Sequence, residues 1–567
     1  MRSFLSFESA KHVLKYLLAS ILVGVILGVS GAFAAQGFRL GIVLISDFVA
    51  NFFSEKPGFY FYFISLSIAL LFVHYSKVLI KGKAFQSVAD SIYLAHKSNN
   101  ETNIRVGFIS TLAAFFSASG GASIGQYGPL VHFGTTLGAW LKKKVPFNFT
   151  PDLYIGAGVA ASISSGFGAP LAGLIFAHEA ILRHYSHKSI LAIATASGIS
   201  YAVSNAIWGD ANIIIVSSEQ FNLLLILIMS FLAGPIFGLT AILYMKSLLY
   251  FGKIAASKNF TTIHKYVFCI ISLSIIGHFV PEVMGLGTGT VIGTLETNYT
   301  LLILIIILFG KILATSISLN FGFFGGVFSP AILVGASAGA IVSTFLMKVG
   351  VFAEFQQALV VSGIAAVAGA VIGAPICMVI IVLELTNSYS YALASLVGLA
   401  ISVGYVQVRF GSSYFDVQLL NRGIDISDGR TGLFMHETEI LNFAETNFYT
   451  IEDTATVDEA VTLMSSSVQS ELIVTNQKGE FRGKISSLSL FNKVGQISQV
   501  GVLDEECMII ENDASLQKAM EIASSFVGEI IPIIDKQTNK AVAVITEGAI
   551  FQAYLSKQNQ TVEMERR

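Results

Sequence analysis

Long apolar stretches dominate the chain between residues 16 and 408 of its 567 residues. A helix needs about 20 predominantly apolar residues to cross the hydrocarbon core of a bilayer. After residue 423 a polar segment leads into predicted strand–helix–strand–strand–helix units. The stretches that predict membrane helices include 16–33, 59–73, 106–140, 189–208, 221–244, 267–279, 301–317, 324–347, 358–383 and 391–408.

The stretch 106–140 fits a straight helix poorly, because it is too long for one span and too short for two. It contains no Asp, Glu, Lys or Arg, but small residues at 117–121 and the pair Gly128-Pro129 interrupt it. Broken helices are tolerated in a bilayer where the freed backbone groups face protein or a water-filled cavity. We therefore predict broken helices around a cavity, with simple straight helices as the alternative.

An internal repeat indicates how the membrane part is organised. Residues 158–170 (GVAASISSGFGAP) match residues 363–375 (GIAAVAGAVIGAP), and the match continues to Glu179 and Glu384 at the same offset of 205. Upstream, GQYGP at 125–129 corresponds to GVFSP at 326–330. Two related halves with Gly- or Pro-broken segments at matching places predict a transport site at their interface. Chance similarity between apolar, glycine-rich stretches is the alternative, and the paired registers argue against it.

The breaks themselves favour a particular ligand. A helix that begins inside the membrane presents unpaired backbone N–H groups and about half a positive charge. Glycine lets an anion approach the backbone, and proline fits the first helical turn. Two such helix starts facing each other would bind a small anion weakly enough for it to leave again. The pattern therefore predicts an anion pathway.

Composition excludes a wholly soluble protein and divides the chain in two. Hydrophobic residues make up 54% and charged residues only 12%, with a mean hydropathy of +0.71, against about 25% charged residues in soluble proteins. Residues 437–567 carry 20 Asp and Glu against 10 Lys and Arg, whereas the preceding residues are net basic. The excess of Lys and Arg in the membrane part is typical of loops on the cytoplasmic side of the membrane. We expect a multi-pass protein of the plasma (inner) membrane with cytoplasmic termini, because no signal-peptide cleavage site follows the first charged residues.

Several other functions lack support in the sequence. Three dispersed cysteines predict neither a disulfide framework nor a metal cluster, and His132 and His178 on apolar helices are interpreted as structural residues. The glycine-rich stretches lack a P-loop lysine. We predict no catalytic residue, no metal site and no nucleic-acid partner.

These motifs resemble those of the CLC family of chloride channels and proton-coupled chloride transporters. GVFSP resembles the family's GxFxP helix start, GQYGP its G(K/R)EGP motif, APLAGLIFAHE at 169–179 the approach to its intracellular proton site, and SSYFDVQLLNRGI at 412–424 its closing helix. The resemblance implies an all-α polytopic membrane domain over 1–425, an inverted repeat of broken, tilted helices that works as a homodimer with one pore per subunit. It implies an anion or pore role for Gly125, Gln126, Tyr127, Gly128, Pro129, Gly326, Val327, Phe328 and Tyr414.

Two departures from the family pattern concern proton coupling. Tyr127 stands where the exchangers have a gating, proton-carrying glutamate, and Ala180 stands where they have an inner glutamate. A phenol has an ordinary pKa near 10, so it stays protonated and can gate or line a pore without shuttling protons. We therefore predict passive, proton-uncoupled transport of small inorganic anions. The alternatives are a proton-coupled antiporter, with Glu179 as a substitute carrier, and a transport-inactive membrane sensor, although the counterpart Glu384 favours a structural role for Glu179.

A third departure concerns the anion's identity. The family's GSGxPE start, whose serine contacts the central anion, is best matched by GKAFQS at 82–87, which places Lys83 at the serine position. A lysine there would hold an anion more strongly or favour a different one. The alternative is that Lys83 extends to the membrane edge. The sequence does not distinguish chloride from bicarbonate, nitrate or fluoride.

The tail repeats itself and resembles a small α/β CBS-domain pair. TVDEAVTLM from Thr456 and SLQKAMEIA from Ser515 each open with a hydroxyl helix cap, and we place the pair at 446–567 after a linker at 426–445. CBS pairs often bind adenine nucleotides through a hydroxyl residue followed three positions later by aspartate. Ser486 and Thr546 keep the hydroxyl, but the aspartate positions hold Ser489 and Ala549. This favours a structural or dimerising tail without a cofactor over a nucleotide sensor.

Overall fold

The chain forms two compact units, Met1–Gly423 and Ile424–Arg567. The structure is a computed structural model. It describes residues 7–53, 58–97, 102–145, 147, 149–185, 188–209, 222–257, 261–348, 350, 353–426, 429–467 and 469–566.

Helices make up the first unit, and eight helical stretches within its described residues are long and apolar enough to cross a membrane. A π-helical segment, Ala177–Leu182, directly follows the helix Pro170–Phe176. The helices are α1 (Phe7–Phe53), α2 (Phe59–Leu79), α3 (Val88–His96), α4 (Ile104–Ser119), α5 (Tyr127–Lys144), α6 (Pro151–Phe167), α7 (Pro170–Phe176), α8 (Ile190–Trp208), α9 (Leu223–Ala256), α10 (Thr262–Phe279), α11 (Thr288–Leu295), α12 (Leu301–Phe321), α13 (Phe328–Lys348), α14 (Gln356–Ile372), α15 (Pro375–Thr386), α16 (Tyr389–Arg409) and α17 (Tyr414–Leu420).

Broken helices occur where the glycines and prolines predicted them. The stretch 106–140 is divided between α4 and α5, and Gly121 adopts a left-handed φ of +85° in the connection. The stretch 358–383 is also divided at its predicted break, because Gly373 ends α14 with φ +78° and Pro375 begins α15. Straight helices are therefore excluded at both places.

The two halves share this geometry, as the repeat predicted. In the first half Gly168 ends α6 with φ +70° and Pro170 begins α7. Helix α6 was missed among the predicted spans because its Gly, Ala and Ser residues lower its hydropathy. Those small residues serve packing, since a Cβ on Gly134 of α5 would collide with the Gly158 carbonyl of α6.

Each half also caps a helix of the other half. Glu179 accepts hydrogen bonds from the N–H groups of Ile376 (2.9 Å) and Cys377 (2.7 Å) at the start of α15. Glu384 accepts two bonds of 2.8 Å from the N–H groups of Leu171 and Ala172 at the start of α7. A carboxylate at a helix N-terminus pairs with otherwise unsatisfied donors, so the two glutamates join the halves reciprocally.

The second unit contains two three-stranded sheets of the same topology. In each sheet the first pair of strands is parallel and the second antiparallel, which matches the predicted tandem units. The elements are α18 (Gly429–Glu437), β1 (Thr450–Glu452), α19 (Val457–Ser467), β2 (Glu471–Thr475), β3 (Phe481–Ser486), α20 (Ser487–Leu490), β4 (Ile510–Glu511), α21 (Leu516–Ala523), β5 (Ile531–Asp535), β6 (Lys540–Ile545) and α22 (Glu547–Arg566).

The predicted linker 426–445 belongs structurally to this second unit. It contains α18, and Ile440 is fully buried in the core of the second sheet. A buried ion pair ties the two repeats together: Lys484 Nζ lies 3.1 Å from Glu471 Oε2, which also accepts the N–H of Ile530 at 3.0 Å. The identification of this α/β region as a CBS pair stays a prediction.

Candidate anion pathway

The starts of α5 and α13 meet through their backbones. Gly125 donates its N–H to the Gly326 carbonyl at 2.7 Å, and Gly326 donates to the Gly125 carbonyl at 2.9 Å. A Cβ on Gly326 would lie 2.9 Å from the Gly128 nitrogen. Only glycine therefore allows this approach, and the two motifs that the sequence placed in separate halves lie side by side.

In the first turn of each of these two helices, no acidic side chain neutralises the partial positive charge of the helix N-terminus. The first turns of α5, with Gly128 and Pro129, and of α13, with Phe328, contain no acidic residue. Their first N–H groups have no carbonyl partner within the helix. The pair of helix starts therefore presents partial positive charge from two directions at one place.

A cavity of about 120 Å³ lies beside these helix starts. Its volume is sufficient for water or a small anion, and its described lining contains polar and apolar side chains but no charged one. It is lined by Gln86, Ser87, Val88, Gly128, Pro129, Leu319, Asn320, Phe324, Gly325, Gly326, Val327, Tyr414, Phe415 and Gln418.

Tyr414 is held in the cavity wall by the packing of α17. Ser413 caps this helix together with Asp416, and Asp416 also forms an ion pair with Arg183. The Tyr414 hydroxyl accepts a hydrogen bond of 3.3 Å from Gln418 Nε2. It can still donate its own proton, so it can act as a hydrogen-bond donor toward an anion.

Tyr127 is the first residue of α5 and packs against two aromatic side chains beside the helix starts. Its side chain is 2% exposed, and its ring stacks on Phe167 at 3.6 Å and 15° with the edge of Phe328 at 5.5 Å. Its chain neighbour Gly128 lines the larger cavity, whereas Tyr127 lines a small apolar cavity of about 30 Å³. The two neighbouring residues therefore line different cavities.

The second proton position contains no titratable group. Ala180 is buried in the π-helical segment, and the neighbouring Glu179 is bound to backbone at the start of α15. His178 has a hydrogen-bond partner at one ring nitrogen, as expected of a structural residue. Its Nδ1 lies 3.0 Å from the His184 carbonyl, but its buried Nε2 has no hydrogen-bond partner among the described residues. Both nitrogens of His132, by contrast, have hydroxyl partners, and nothing in the sequence marked this difference.

Lys83 does not lie at the cavity, so its predicted place at the anion site is corrected. Its side chain is exposed, and it follows a turn at Lys81 and Gly82 whose φ values are +54° and +72°. Helix α3 begins only at Val88, and therefore Gln86 and Ser87 rather than Lys83 reach the cavity. The exposed position fits the alternative of a lysine extending to the membrane edge.

The fold and the site define a class: a multi-pass membrane protein whose two related halves bring broken-helix N-termini together beside a polar cavity. The family model "Voltage gated chloride channel" matches residues 64–407, more than half of the chain. The chain belongs to this family, the CLC family, which confirms the resemblance of its motifs.

Known relatives agree with this assignment. The chain is 28% identical over 336 residues to the H(+)/Cl(-) exchange transporter ClcA of Vibrio parahaemolyticus, covering 54% of this chain and 68% of the relative. It is 25% identical over 459 residues to the same-named protein of Vibrio campbellii, covering 74% and 92%. A solved structure described as a eukaryotic CLC transporter shares the fold with a TM-score of 0.62 and 16% identity, covering 94% of this chain and 98% of that one.

Proposed function

We propose that this protein carries small inorganic anions, chloride among them, passively across the membrane without obligatory proton exchange. One observation carries the proposal: neither position that a proton would need holds a carboxylate. Tyr127 occupies the gate and Ala180 the inner position, and both are buried. A protonated phenol and a methyl group cannot take up and release protons near neutral pH.

The proposed path runs past the paired helix starts. An anion in the larger cavity would be held by backbone N–H groups near Gly326 and Val327 and by the Tyr414 hydroxyl. Without a fixed cation among the cavity's described lining residues, binding stays weak, and weak binding lets ions leave as quickly as they enter. Movement of the Tyr127 ring away from Phe167 would then open the path.

The bonding of Glu179 supports an uncoupled mechanism. Both of its oxygens accept N–H groups at the start of α15, and Glu384 does the same at α7. A proton on Glu179 would compete with these two hydrogen bonds and with the favourable charge–dipole interaction. We therefore interpret Glu179 as a cap that joins the halves.

Proton-coupled exchange is the second candidate, and two observations favour it. The Vibrio relatives are named exchange transporters. His178 also places a buried, unpartnered ring nitrogen one residue from Glu179 and two from Ala180, and imidazole is the side chain best suited to proton transfer near neutral pH.

Simultaneous anion and proton recording tests both candidates. The purified protein is reconstituted in liposomes with an outward chloride gradient, and chloride efflux and internal pH are followed together. We expect chloride efflux with no sustained uphill proton movement, in wild type and in His178→Gln alike. Uphill proton movement that His178→Gln abolishes would establish the exchanger instead. A folded protein without chloride flux would support a transport-inactive sensor.

The remaining expectations are parts of the same proposal. We infer a homodimer with one pore per subunit, in a plasma membrane, with both termini cytoplasmic. The tail would then serve as a structural or dimerising CBS pair. Cross-linking of the reconstituted protein and protease protection in sealed vesicles test these points separately.

A further inference from the structure

Lys311 is a buried cation in the interior of the membrane unit. It lies on α12, a helix long and apolar enough to span a membrane, and it is 0% exposed. Its Nζ donates to the carbonyls of Val283 (3.0 Å) and Gly285 (2.9 Å), and no carboxylate pairs with it among the described residues. A charge buried in this way is costly and, in membrane proteins, usually functional. Neither the proposed path nor the reciprocal helix caps involve Lys311.

The two carbonyls belong to residues 283–287, the loop before α11, which is also held from a second side. Ser123 Oγ donates to the same Val283 carbonyl at 2.8 Å, and the Gly285 N–H donates to the Gly121 carbonyl at 3.0 Å. Gly121 and Ser123 lie in the connection between α4 and α5, shortly before the start of α5. The buried ammonium and this connection therefore fix the α11 loop between them.

The α11 loop forms part of the small cavity beside Tyr127. That apolar cavity of about 30 Å³ is lined by Tyr127 and Phe167 together with Leu286 of the loop and Thr288 and Val291 of α11. Its volume leaves room for about one water molecule, which is far less than a phenol ring occupies. The Tyr127 ring therefore cannot move into this space while the α11 loop stays in place.

We infer that Lys311 is a positioning residue of the gate: by binding two carbonyls of the α11 loop, its ammonium fixes the cavity wall that keeps the Tyr127 ring in place. The inference rests on the proposed function, in which movement of this ring opens the path. It requires no contact between Lys311 and an anion. Loss of the ammonium would release the α11 loop, enlarge the space beside the ring and favour the open state.

Chloride efflux from liposomes tests this role with a double-mutant cycle. Lys311→Met removes the charge and its hydrogen bonds but keeps a long side chain, whereas Lys311→Arg keeps the charge and the donors. Lys246→Met, at an exposed lysine on α9, is the matched control. We expect Lys311→Met to raise efflux several-fold in the wild-type background and to add nothing in Tyr127→Ala, where the ring is already absent. Lys311→Arg and Lys246→Met should stay near the wild-type rate.

The cycle has outcomes that contradict the inference. The same fold-change of Lys311→Met in both backgrounds would show that the lysine acts independently of the ring. An unchanged rate, or a lower rate with a normal size-exclusion profile, would equally overturn the inference. If Lys311→Met does not fold, Ser123→Ala removes the neighbouring hydrogen bond to the same loop carbonyl. It should raise efflux only while the Tyr127 ring is present, and no change would overturn the inference.

Labelling of a cavity residue separates the inference from the proposed function. Val291→Cys places a thiol in the cavity wall, and mass spectrometry follows its reaction with iodoacetamide. Val291 is 3% exposed, so this reaction should be slow, and Lys311→Met should speed it several-fold, whereas Lys246→Met should not. The buried Cys377 of α15 is the internal control for general unfolding and should not respond.

The two readouts together assign a failure to one proposal or the other. Faster labelling in Lys311→Met supports the positioning role even if wild type shows no chloride efflux. If wild type conducts chloride and its efflux does not respond to Lys311→Met, the proposed function stands and the positioning role is wrong, whatever the labelling shows. If wild type shows no efflux and the labelling does not respond, both are wrong.

Discussion

The chemistry of a single side chain, Tyr127, is central to the proposed function, because this residue lies where the two halves meet. Its phenol replaces a carboxylate, and its ring packs between Phe167 and Phe328 rather than facing water. An aromatic stack of this kind gains free energy from burial and from ring geometry. Under the proposed function, these properties suit Tyr127 to holding the path closed rather than to carrying a proton.

Removing the Tyr127 ring should open the path. We expect Tyr127→Ala to raise chloride efflux several-fold without creating proton movement, because the stack on Phe167 is lost and nothing titratable replaces it. Tyr127→Phe keeps the ring and should stay near the wild-type rate. Efflux that falls in Tyr127→Ala while the protein stays folded would contradict a gating role and indicate that the ring supports the pore.

Cys507 in the tail should react slowly with alkylating agents. Burial, with a smaller contribution from Asp504, raises the pKa of the Cys507 thiol to about 11, and only the thiolate reacts. Alkylation at pH 8 should be about 100-fold slower than for an unfolded cysteine with a pKa near 8.5 and should rise up to pH 11. Mass spectrometry of the Cys507 peptide, with and without denaturant, measures this, and equal rates in both conditions would contradict it.

The same shift predicts how pH affects the stability of the tail. Because the folded-state pKa of Cys507 lies above the unfolded value, its protonated form favours the folded state. This contribution is complete below about pH 8.5 and is lost as the pH rises toward 11.

At the residue scale, a motif with its own register could be placed from the sequence. Gly125 and Gly326 were predicted at matching helix starts, which the structure joins by two backbone hydrogen bonds, and Tyr414, placed by its motif, lines the neighbouring cavity; their anion-binding roles stay predictions. Lys83 failed because no such motif fixed the start of α3. The unpartnered nitrogen of His178 could not be predicted at all, since it depends on tertiary neighbours.

At the scale of elements, the helix breaks organise the membrane part. Helix α6 and helix α14 each end in a left-handed glycine and each precede a helix that begins with proline. The sequence could predict these ends from local backbone chemistry. It could not predict α6 as a helix in the interior, because its small residues carry a packing signal rather than a hydropathy signal.

The two reciprocal helix caps, Glu179 and Glu384, should contribute similar amounts to the free energy of unfolding. Glu179→Gln and Glu384→Gln each weaken two charge-assisted hydrogen bonds, and we expect each to cost about 1 to 3 kcal/mol of stability and to lower the apparent melting temperature in detergent. Glu296→Gln, at an exposed glutamate, is the control and should change little. If either cap variant has the same apparent melting temperature as Glu296→Gln, the hydrogen bonds at that helix start make no measurable contribution to stability.

At the scale of the whole molecule, a sparsely charged membrane unit and an acidic tail follow different physical rules. The membrane unit is organised by backbone approach and small residues, whereas the tail has two apolar cores, one under each sheet. Charge distribution along the sequence predicted this division. The sequence could not predict that α18 belongs to the tail, because its polar residues are typical of a linker and only its packing shows otherwise.

Nucleotide binding by the tail should be absent. Ser486 Oγ accepts the Ser489 N–H at 3.3 Å, and Thr546 Oγ1 accepts the Ala549 N–H at 3.1 Å, so both hydroxyls cap helices. Ser489 and Ala549 stand where the predicted CBS pair would need an aspartate to bind a ribose. Calorimetry of the full-length protein with ATP and with AMP should give no saturable heat. A saturable heat that Ser486→Ala or Thr546→Ala abolishes would show a nucleotide site of a different kind.

The exchange of caps between Glu179 and Glu384 has a consequence for the history of the chain. A single half would leave its glutamate without donors and its broken helix without an acceptor. Two copies of such a half side by side would supply both groups to each other. Gene duplication would then have fused an existing two-chain assembly into one polypeptide, and substitutions at one glutamate would since have been constrained by residues some 200 positions away.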